Sequence, residues 1–245
     1  MSDVHAMAPG LHMSGSAYIG QVMIFEDLTL QIAPGGWHCL LGASGVGKST
    51  VLRLFAGLNE GVEFDGTLLA SDGLPFINRV TFMAQNDLLL PWLSARENVL
   101  LGARLRGQLI NHLEADTVLE QVGLADHRLK NPSQLSGGQR QRVALARTLI
   151  EERPIVLLDE PFSALDAKTR SQMQELAVDL LKDKTVLLVT HDPAEAARLG
   201  QAISIMSASN LENFAPPNGI IPRGLCDPEA LSTQGRLLGI LRGIE

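Results

Sequence analysis

Apolar and polar positions alternate loosely from Ile24 to Ile32, the pattern of a strand with one covered face. Trp37–Leu41 is a short apolar run that breaks into glycines, which predicts a buried strand entering a loop. Lys48–Leu58 places Leu52, Phe55 and Ala56 on one side of a helix, with Gly57 as its stop. Val80–Ala84 reads as a further strand. No strand pattern interrupts Asp87–Gln134, which predicts a helical insertion whose best-defined helix, Leu113–Val122, ends at Gly123. Gln139–Ile150 is helical in pattern. Ile155–Leu158 is continuously apolar, as strands covered on both faces of a parallel sheet are. In Ala167–Leu181, residues Met173, Leu176, Ala177, Leu180 and Leu181 recur at helical spacing and predict one apolar face packed on the sheet. Val186–Val189 is the next buried strand. Asp192-Pro193-Ala194-Glu195 opens a helix with a capping Asp, a first-position proline and an acidic third residue, and Gly200 closes it. Ala202–Met206 predicts a last strand, Asn210–Pro222 with its prolines a loop, and Ala230–Leu241 a short final helix.

Strands alternating with helices predict an α/β fold around a parallel sheet. A chain of 245 residues can bury a large single core. The net charge of −7 speaks against non-specific binding to nucleic acid, since a phosphate backbone is held by a basic surface. Cys39 and Cys226 are far apart and form no C-x-x-C pair, so they read as two reduced thiols. Met1–Gly10 lacks the basic and apolar stretches of a signal peptide and is expected to be flexible. No window approaches the roughly 18 apolar residues of a spanning helix. Any membrane role is therefore expected to rest on a partner.

Three motifs carry chemistry. Gly42-Ala43-Ser44-Gly45-Val46-Gly47-Lys48-Ser49-Thr50 matches G-x-x-x-x-G-K-[ST] between a predicted strand and a predicted helix. Glycines let the backbone wrap phosphates, the helix presents its positive end, Lys48 adds a cation, and the Ser49 hydroxyl can ligate Mg²⁺. The Ile155–Leu158 strand ends in Asp159-Glu160. Beside a phosphate loop, Asp159 can hold the Mg²⁺ shell and Glu160 can orient and deprotonate an attacking water. Leu135-Ser136-Gly137-Gly138-Gln139 opens a helix with a glycine pair, a second anion-seeking terminus. One phosphate loop and a second phosphate-seeking turn in the same chain suggest a nucleotide shared between two copies.

With these motifs the chain resembles the ABC ATPase family over nearly its whole length. Leu135–Gln139 is similar to that family's signature, Gln85 to its Q-loop glutamine, Ser163-Ala164-Leu165-Asp166 to its D-loop, His191 to its switch histidine, and Tyr18 to the aromatic that stacks on adenine. The resemblance implies a P-loop NTPase (RecA-like) parallel-sheet core with an antiparallel β subdomain and an inserted helical subdomain at about 87–150, all in one domain over 11–245. It implies ATP and Mg²⁺, with Ser49, Gln85 and Asp159 toward the metal, Glu160, His191 and Gln85 toward the chemistry, and Tyr18, residues 42–50 and Ser136–Gln139 toward the nucleotide. It also implies a head-to-tail dimer in which one copy's phosphate loop and the other's signature enclose each ATP. The partners implied are a second copy, separate membrane permease subunits and, indirectly, a solute-binding protein, at the cytoplasmic face of the cell membrane.

The stretch Asn86–Trp92 is similar to the border of the groove where that family receives a permease helix, although Trp92 packed inside the insertion is equally compatible with the sequence. Its Leu-Leu-Pro-Trp pattern resembles importers of nitrate, sulfonates, taurine and thiamine precursors. Trp37–Leu41, Ser71–Pro75 and Leu100–Gly107 look closest to hydroxymethylpyrimidine importer subunits. The resemblance thus implies ATP hydrolysis driving uptake of a small solute, with a thiamine precursor (hydroxymethylpyrimidine) as the first reading and, as alternatives, nitrate, sulfonate or taurine import or a non-transport ABC ATPase. Gly200-Gln201 departs from the Ala-Asp that the family often carries after the switch helix.

Overall fold

A computed structural model describes residues 8–207 and 210–244. In chain order its strands are β1 (Leu11–Ile19), β2 (Val22–Ile32), β3 (Trp37–Leu41), β4 (Glu63–Ala70), β5 (Val80–Met83), β6 (Ile155–Asp159), β7 (Thr185–Thr190), β8 (Ala202–Met206) and β9 (Leu211–Phe214). Its α-helices are α1 (Lys48–Phe55), α2 (Ala95–Val99), α3 (Leu101–Leu105), α4 (His112–Gln121), α5 (Gly137–Leu149), α6 (Ala167–Leu180), α7 (Pro193–Leu199) and α8 (Pro228–Ile244). These elements form two compact units. One comprises the described residues up to Val80, Arg153–Asp159 and those from Lys182 onward; the other comprises Thr81–Glu152 and Glu160–Leu181.

The first unit contains two sheets. β6, β7, β3 and β8 run parallel in that order, and β9 joins β8 antiparallel at the edge. Every residue of β3, β6 and β7 is buried, which explains their unbroken apolar runs. The second sheet is antiparallel, in the order β2-β1-β4, and carries the looser alternation of a sheet with an open face. α7 is tied to the C-terminal segment by Arg223. Its guanidinium donates to the carbonyls of Ala197, Gly200, Pro217 and Asn218, while Arg198 Nε donates back to Arg223 O.

The sheet order of the first unit brings His38 into contact with Ser204. His38 lies in β3, is 4% exposed, and its Nε2 is 2.9 Å from Ser204 Oγ. The serine hydroxyl in turn donates to Asn213 Oδ1 at 2.9 Å, so the imidazole Nε2–H is the donor into a chain that crosses β3, β8 and β9. Burial pulls the His38 pKa down to about 4, because the charged ring would lose its hydration.

The second unit is helical and built from short pieces. Ser94 and Glu97 form a capping box at α2, Asn111 caps α4, Ser136 caps α5 with Gln139 in the reciprocal role, and Asp166 caps α6. Arg96 makes a two-point ion pair with Asp116, at 2.6 and 2.7 Å, joining α2 to α4. Asn98 is fully buried, and its amide is satisfied by the carbonyls of Leu90, Leu93 and Ser94 and by the Leu90 N–H, which orders the turn before α2.

Several expectations change here. Leu211–Phe214 is an edge strand rather than loop. Its Leu-Glu-Asn-Phe sequence is half exposed and joined through main-chain pairing with β8, so it carries no apolar signal. In α6 the buried positions are Met173, Gln174 and Ala177, with Leu176 and Leu180 only half covered. The helical stretch after Asp87 is broken by turns and 3₁₀ segments at Ala125–His127 and Pro132–Gln134. Flexibility expected of residues 1–10 falls, for 1–7, outside the described residues. Ala8–Gly10 are buried, and Gly10 N–H donates to Ser71 Oγ.

The buried imidazole makes stability depend on pH. Its folded pKa is depressed, so the stabilisation is complete above the unfolded value near 6.5 and is lost as pH falls toward 4. His38→Gln keeps a donor for Ser204 and cannot titrate. Urea unfolding of both proteins between pH 7.5 and 4 should show the natural chain losing on the order of 3 kcal/mol more than the variant across that window.

Candidate functional site

The register of the parallel sheet decides what its carboxyl edge presents. Leu41 pairs with Thr190, and Asp159 pairs with Val189, so β3, β7 and β6 end level with one another. The next residues are Gly42 after β3 and His191 after β7, while Asp159 is itself the last residue of β6. With about 4.8 Å between neighbouring strands, the phosphate loop and Asp159 lie on the same edge about 10 Å apart, with the His191 turn between them.

The loop itself is held by close contacts. A Cβ on Gly42 would lie 2.3 Å from the carbonyl oxygen of Met206, so the chain passes directly over the end of β8. Gly47 has φ +104° and caps α1, and a Cβ there would meet Ile24 Cγ2 at 2.8 Å. Lys48 is 5% exposed, and its ammonium donates to the carbonyls of Gly42 at 2.8 Å and Ala43 at 2.6 Å, so the loop curves around its own cation. Ser44, Gly45 and Ser49 face solvent; Ala43, Val46 and Thr50 are half-buried. A curved backbone, a helix start and a held ammonium make a receptor for phosphate oxygens. Tyr18 is half-buried on β1 opposite Met23, whose neighbour Ile24 contacts Gly47, so the tyrosine's strand partner abuts the loop.

His191 is exposed on a turn supported from below. Thr190 Oγ1 donates to Glu195 Oε2 at 2.7 Å and accepts from Asp192 N–H at 3.0 Å, while Asp192 Oδ1 accepts from Ala194 N–H. Glu195 is 4% exposed. Sequence pointed to Glu195 only as the acidic third residue of the helix opening, and it did not point to Thr190, which the apolar strand pattern stops short of.

In the second unit Glu160 occupies a left-handed conformation, φ +49°, which for a residue with a side chain costs roughly 1–2 kcal/mol. Its carbonyl accepts from Gln141 Nε2 at 3.4 Å, from Ser163 N–H at 3.3 Å and from Ser163 Oγ at 3.0 Å, and these bonds hold the turn. Its carboxylate accepts from Gln85 Nε2 at 3.1 Å, so Gln85 and Glu160 are brought together. The Ser136 turn opens the 13-residue α5. Ser136 Oγ accepts from Gln139 N–H at 3.2 Å, and Gln139 Oε1 accepts from Ser136 N–H at 2.8 Å. A Cβ on Gly138 would make only ordinary contacts, 3.4 Å from Ala164 O and 3.5 Å from Leu165 Cδ2. One on Gly137 would meet nothing nearer than 4.0 Å.

α5 also grips the segment after Gln85. Arg140 Nε donates to Asp87 Oδ2 at 2.8 Å, and the Arg147 guanidinium donates to the carbonyls of Asp87 at 2.7 Å and Leu88 at 2.9 Å. Burial lowers the Arg147 pKa below the usual guanidinium value, and the charge of Asp87 opposes that shift. Leu88, held at φ +46°, is 62% exposed, and Trp92 is 70% exposed. Trp92 therefore does not pack inside the helical unit. Arg140, Gln141 and Arg147 could not be picked from sequence, because their partners are main-chain groups or lie about 20 to 60 residues away.

Among the described residues no helix is long and apolar enough to cross a membrane, and no cluster of His, Cys, Asp or Glu is arranged to hold a metal. The ABC transporter family model matches residues 25–163, more than half the chain. An uncharacterised ABC transporter ATP-binding protein of Haemophilus influenzae is 47% identical over 93% of this chain and 95% of its own length. The aliphatic sulfonates import ATP-binding protein SsuB 3 of Nocardia farcinica is 41% identical, over 92% of this chain and 87% of its own. The taurine import ATP-binding protein TauB of Pseudomonas aeruginosa is 41% identical, over 82% and 75%. The dimeric structure of the ATP-binding cassette MJ0796, in a post-hydrolysis state with ADP and phosphate, superposes with a TM-score of 0.73 at 29% identity, over 86% of this chain and 100% of that one. Phosphate loop, level strand ends and family match agree: the chain belongs to the ABC transporter ATPases.

Proposed function

We propose that this chain is the ATP-hydrolysing subunit of an importer for aliphatic sulfonates or taurine, working as a head-to-tail pair on separate permease subunits at the cytoplasmic face of the membrane. The solute class rests on the kinship with the sulfonate and taurine import proteins. The hydroxymethylpyrimidine reading, the first expectation from sequence, has no counterpart among the relatives described above, and the alternative of sulfonate or taurine replaces it. The solute never touches this chain, and its residues encode the engine rather than the cargo.

The observation that carries the shared pocket is the pair Gly137 and Gly138. The phosphate-loop glycines Gly42 and Gly47 are demanded by their own surroundings. Gly137 and Gly138 are not: neither has positive φ, and the structure leaves room for a side chain at both. Glycine is weaker than alanine in a helix by up to about 1 kcal/mol. A helix start kept bare in this way suits a phosphate that arrives from outside the chain.

In this reading Tyr18 stacks on the adenine. Residues 42–47 wrap the phosphates with main-chain N–H groups, and Lys48 turns its ammonium from the loop carbonyls to the β- and γ-phosphates. Ser49, Asp159 and Gln85 are the groups that would hold Mg²⁺, which neutralises phosphate charge when bound; an exposed hydroxyl, a strand-end carboxylate and an amide are oxygen donors of the kind this ion takes. Glu160 accepts the proton of the attacking water, whose oxygen bonds to the γ-phosphorus as the bond to the bridging oxygen breaks, giving ADP and phosphate. Gln85, bonded to Glu160, keeps the carboxylate aimed. His191 donates to the γ-phosphate. Ser136 and the Gly137 and Gly138 amides of the second copy close the pocket.

Two glycine variants separate the two kinds of site. Gly42→Ala should destabilise the fold by about 1–3 kcal/mol, because its Cβ collides with the Met206 carbonyl. Gly137→Ala should stay within about 0.5 kcal/mol of the parent in urea unfolding yet release phosphate from ATP roughly 100-fold more slowly. Undiminished hydrolysis by Gly137→Ala would remove the lid. For the cargo, cells lacking this chain should lose uptake of labelled taurine and alkanesulfonates and regain it on complementation. Loss of hydroxymethylpyrimidine or nitrate uptake with sulfonate uptake intact would overturn the solute assignment.

A further inference from the structure

The Gln139 side chain is bonded on two sides. Its Oε1 accepts from Ser136 N–H at 2.8 Å, and its Nε2 lies 3.0 Å from His127 Nε2. Ser136 N–H can only donate, so the amide oxygen must face it, and the amide NH₂ must therefore face His127. An NH₂ group can only donate as well. His127 Nε2 thus presents its lone pair, and the proton of the neutral ring sits on Nδ1. Nδ1 is buried and has no hydrogen-bond partner among the described residues. A buried N–H left unpaired is costly, because it gives up its hydrogen bond to water without replacing it. The opposite tautomer would set Nε2–H against the Gln139 NH₂, donor against donor, whereas an apolar residue would avoid the unpaired N–H at this position. The strained arrangement lies at a histidine that touches the signature turn.

We propose that His127 is a positioning residue for the signature. Its Nε2 lone pair locks the Gln139 amide in the orientation that caps Ser136, and so holds Ser136 and the two glycine amides in register for the γ-phosphate of the opposite copy. The proposal rests on the head-to-tail dimer put forward above. Without an acceptor at Nε2, the Gln139 amide can rotate, Oε1 leaves Ser136 N–H, and the turn loses one side of its capping box. The effect acts on pairing rather than on nucleotide capture, because the phosphate loop belongs to the first unit and His127 to the second.

The test uses the full chain carrying Glu160→Gln to halt turnover, with ATP-driven pairing followed by sedimentation. A fluorescent ATP analogue reads binding to the dilute monomer. His127→Leu should raise the ATP concentration for half-pairing roughly tenfold, equivalent to about 1.4 kcal/mol, while monomer binding is unchanged. His127→Gln, whose Oε1 reaches the place of Nε2, should restore pairing. His127→Asn, whose oxygen stands at the place of Nδ1, should not. ¹⁵N spectra of the natural imidazole should show the proton on Nδ1. Failure of Glu160→Gln to pair with ATP overturns the dimer itself. Normal pairing of the His127→Leu protein, equal rescue by Asn and Gln, or an Nε2–H tautomer overturns the role of His127. The last two readouts hold even if His127→Leu does not fold.

Discussion

Main-chain amides can surround a phosphate only where no Cβ stands in the way, and that constraint runs through this chain twice, in two different forms. In the phosphate loop the glycines are fixed by the loop's own geometry: Gly42 presses on the Met206 carbonyl, and Gly47 needs a left-handed turn before α1. At the start of α5 no close contact among the described residues demands the glycines. The first set makes a receptor that is complete within one copy. The second makes a surface that gains a purpose only when something is brought to it. In the proposed pairing, the loop belongs to one copy and the bare helix start to the other.

The sheet register turns this into chemistry. Because β3, β6 and β7 end level, a loop, a carboxylate and a histidine turn share one edge without any long-range adjustment. Glu160 then departs from regular geometry. The chain leaves the first unit at Asp159 and enters the second at Glu160, and at that step it adopts a left-handed turn held by Gln141 and Ser163. Strain of this kind persists when neighbours over-determine it, and here Gln141 and Ser163 supply those bonds.

Legibility in the sequence followed the physics of each element. Trp37–Leu41, Ile155–Leu158 and Val186–Val189 were readable because burial on both faces writes an unbroken apolar run. The Asp192 cap with Pro193 and the Gly123 stop were readable because caps are local. β9 was hidden because an edge strand pairs through its backbone, and β1 and β4 left too loose a pattern for their bounds to be drawn. The phosphate loop, Asp159-Glu160 and the Ser136 turn could be named from their own residues, and Gln85, His191 and Tyr18 only through the family resemblance. Their supports could not: Glu195 beneath the His191 turn, His127 beside Gln139, and Arg140 and Arg147 on α5 are defined by partners that only the fold supplies.

The grip of α5 on Asp87 and Leu88 has a mechanical meaning. Three hydrogen bonds from two arginines fasten this exposed corner to the helix that begins at Ser136, and the corner itself is a left-handed residue with little room to bend. A load applied at Leu88 reaches α5 directly through these bonds. It passes as a stiff strut into α5, so whatever leans on this corner also tilts the far tip of the same rod.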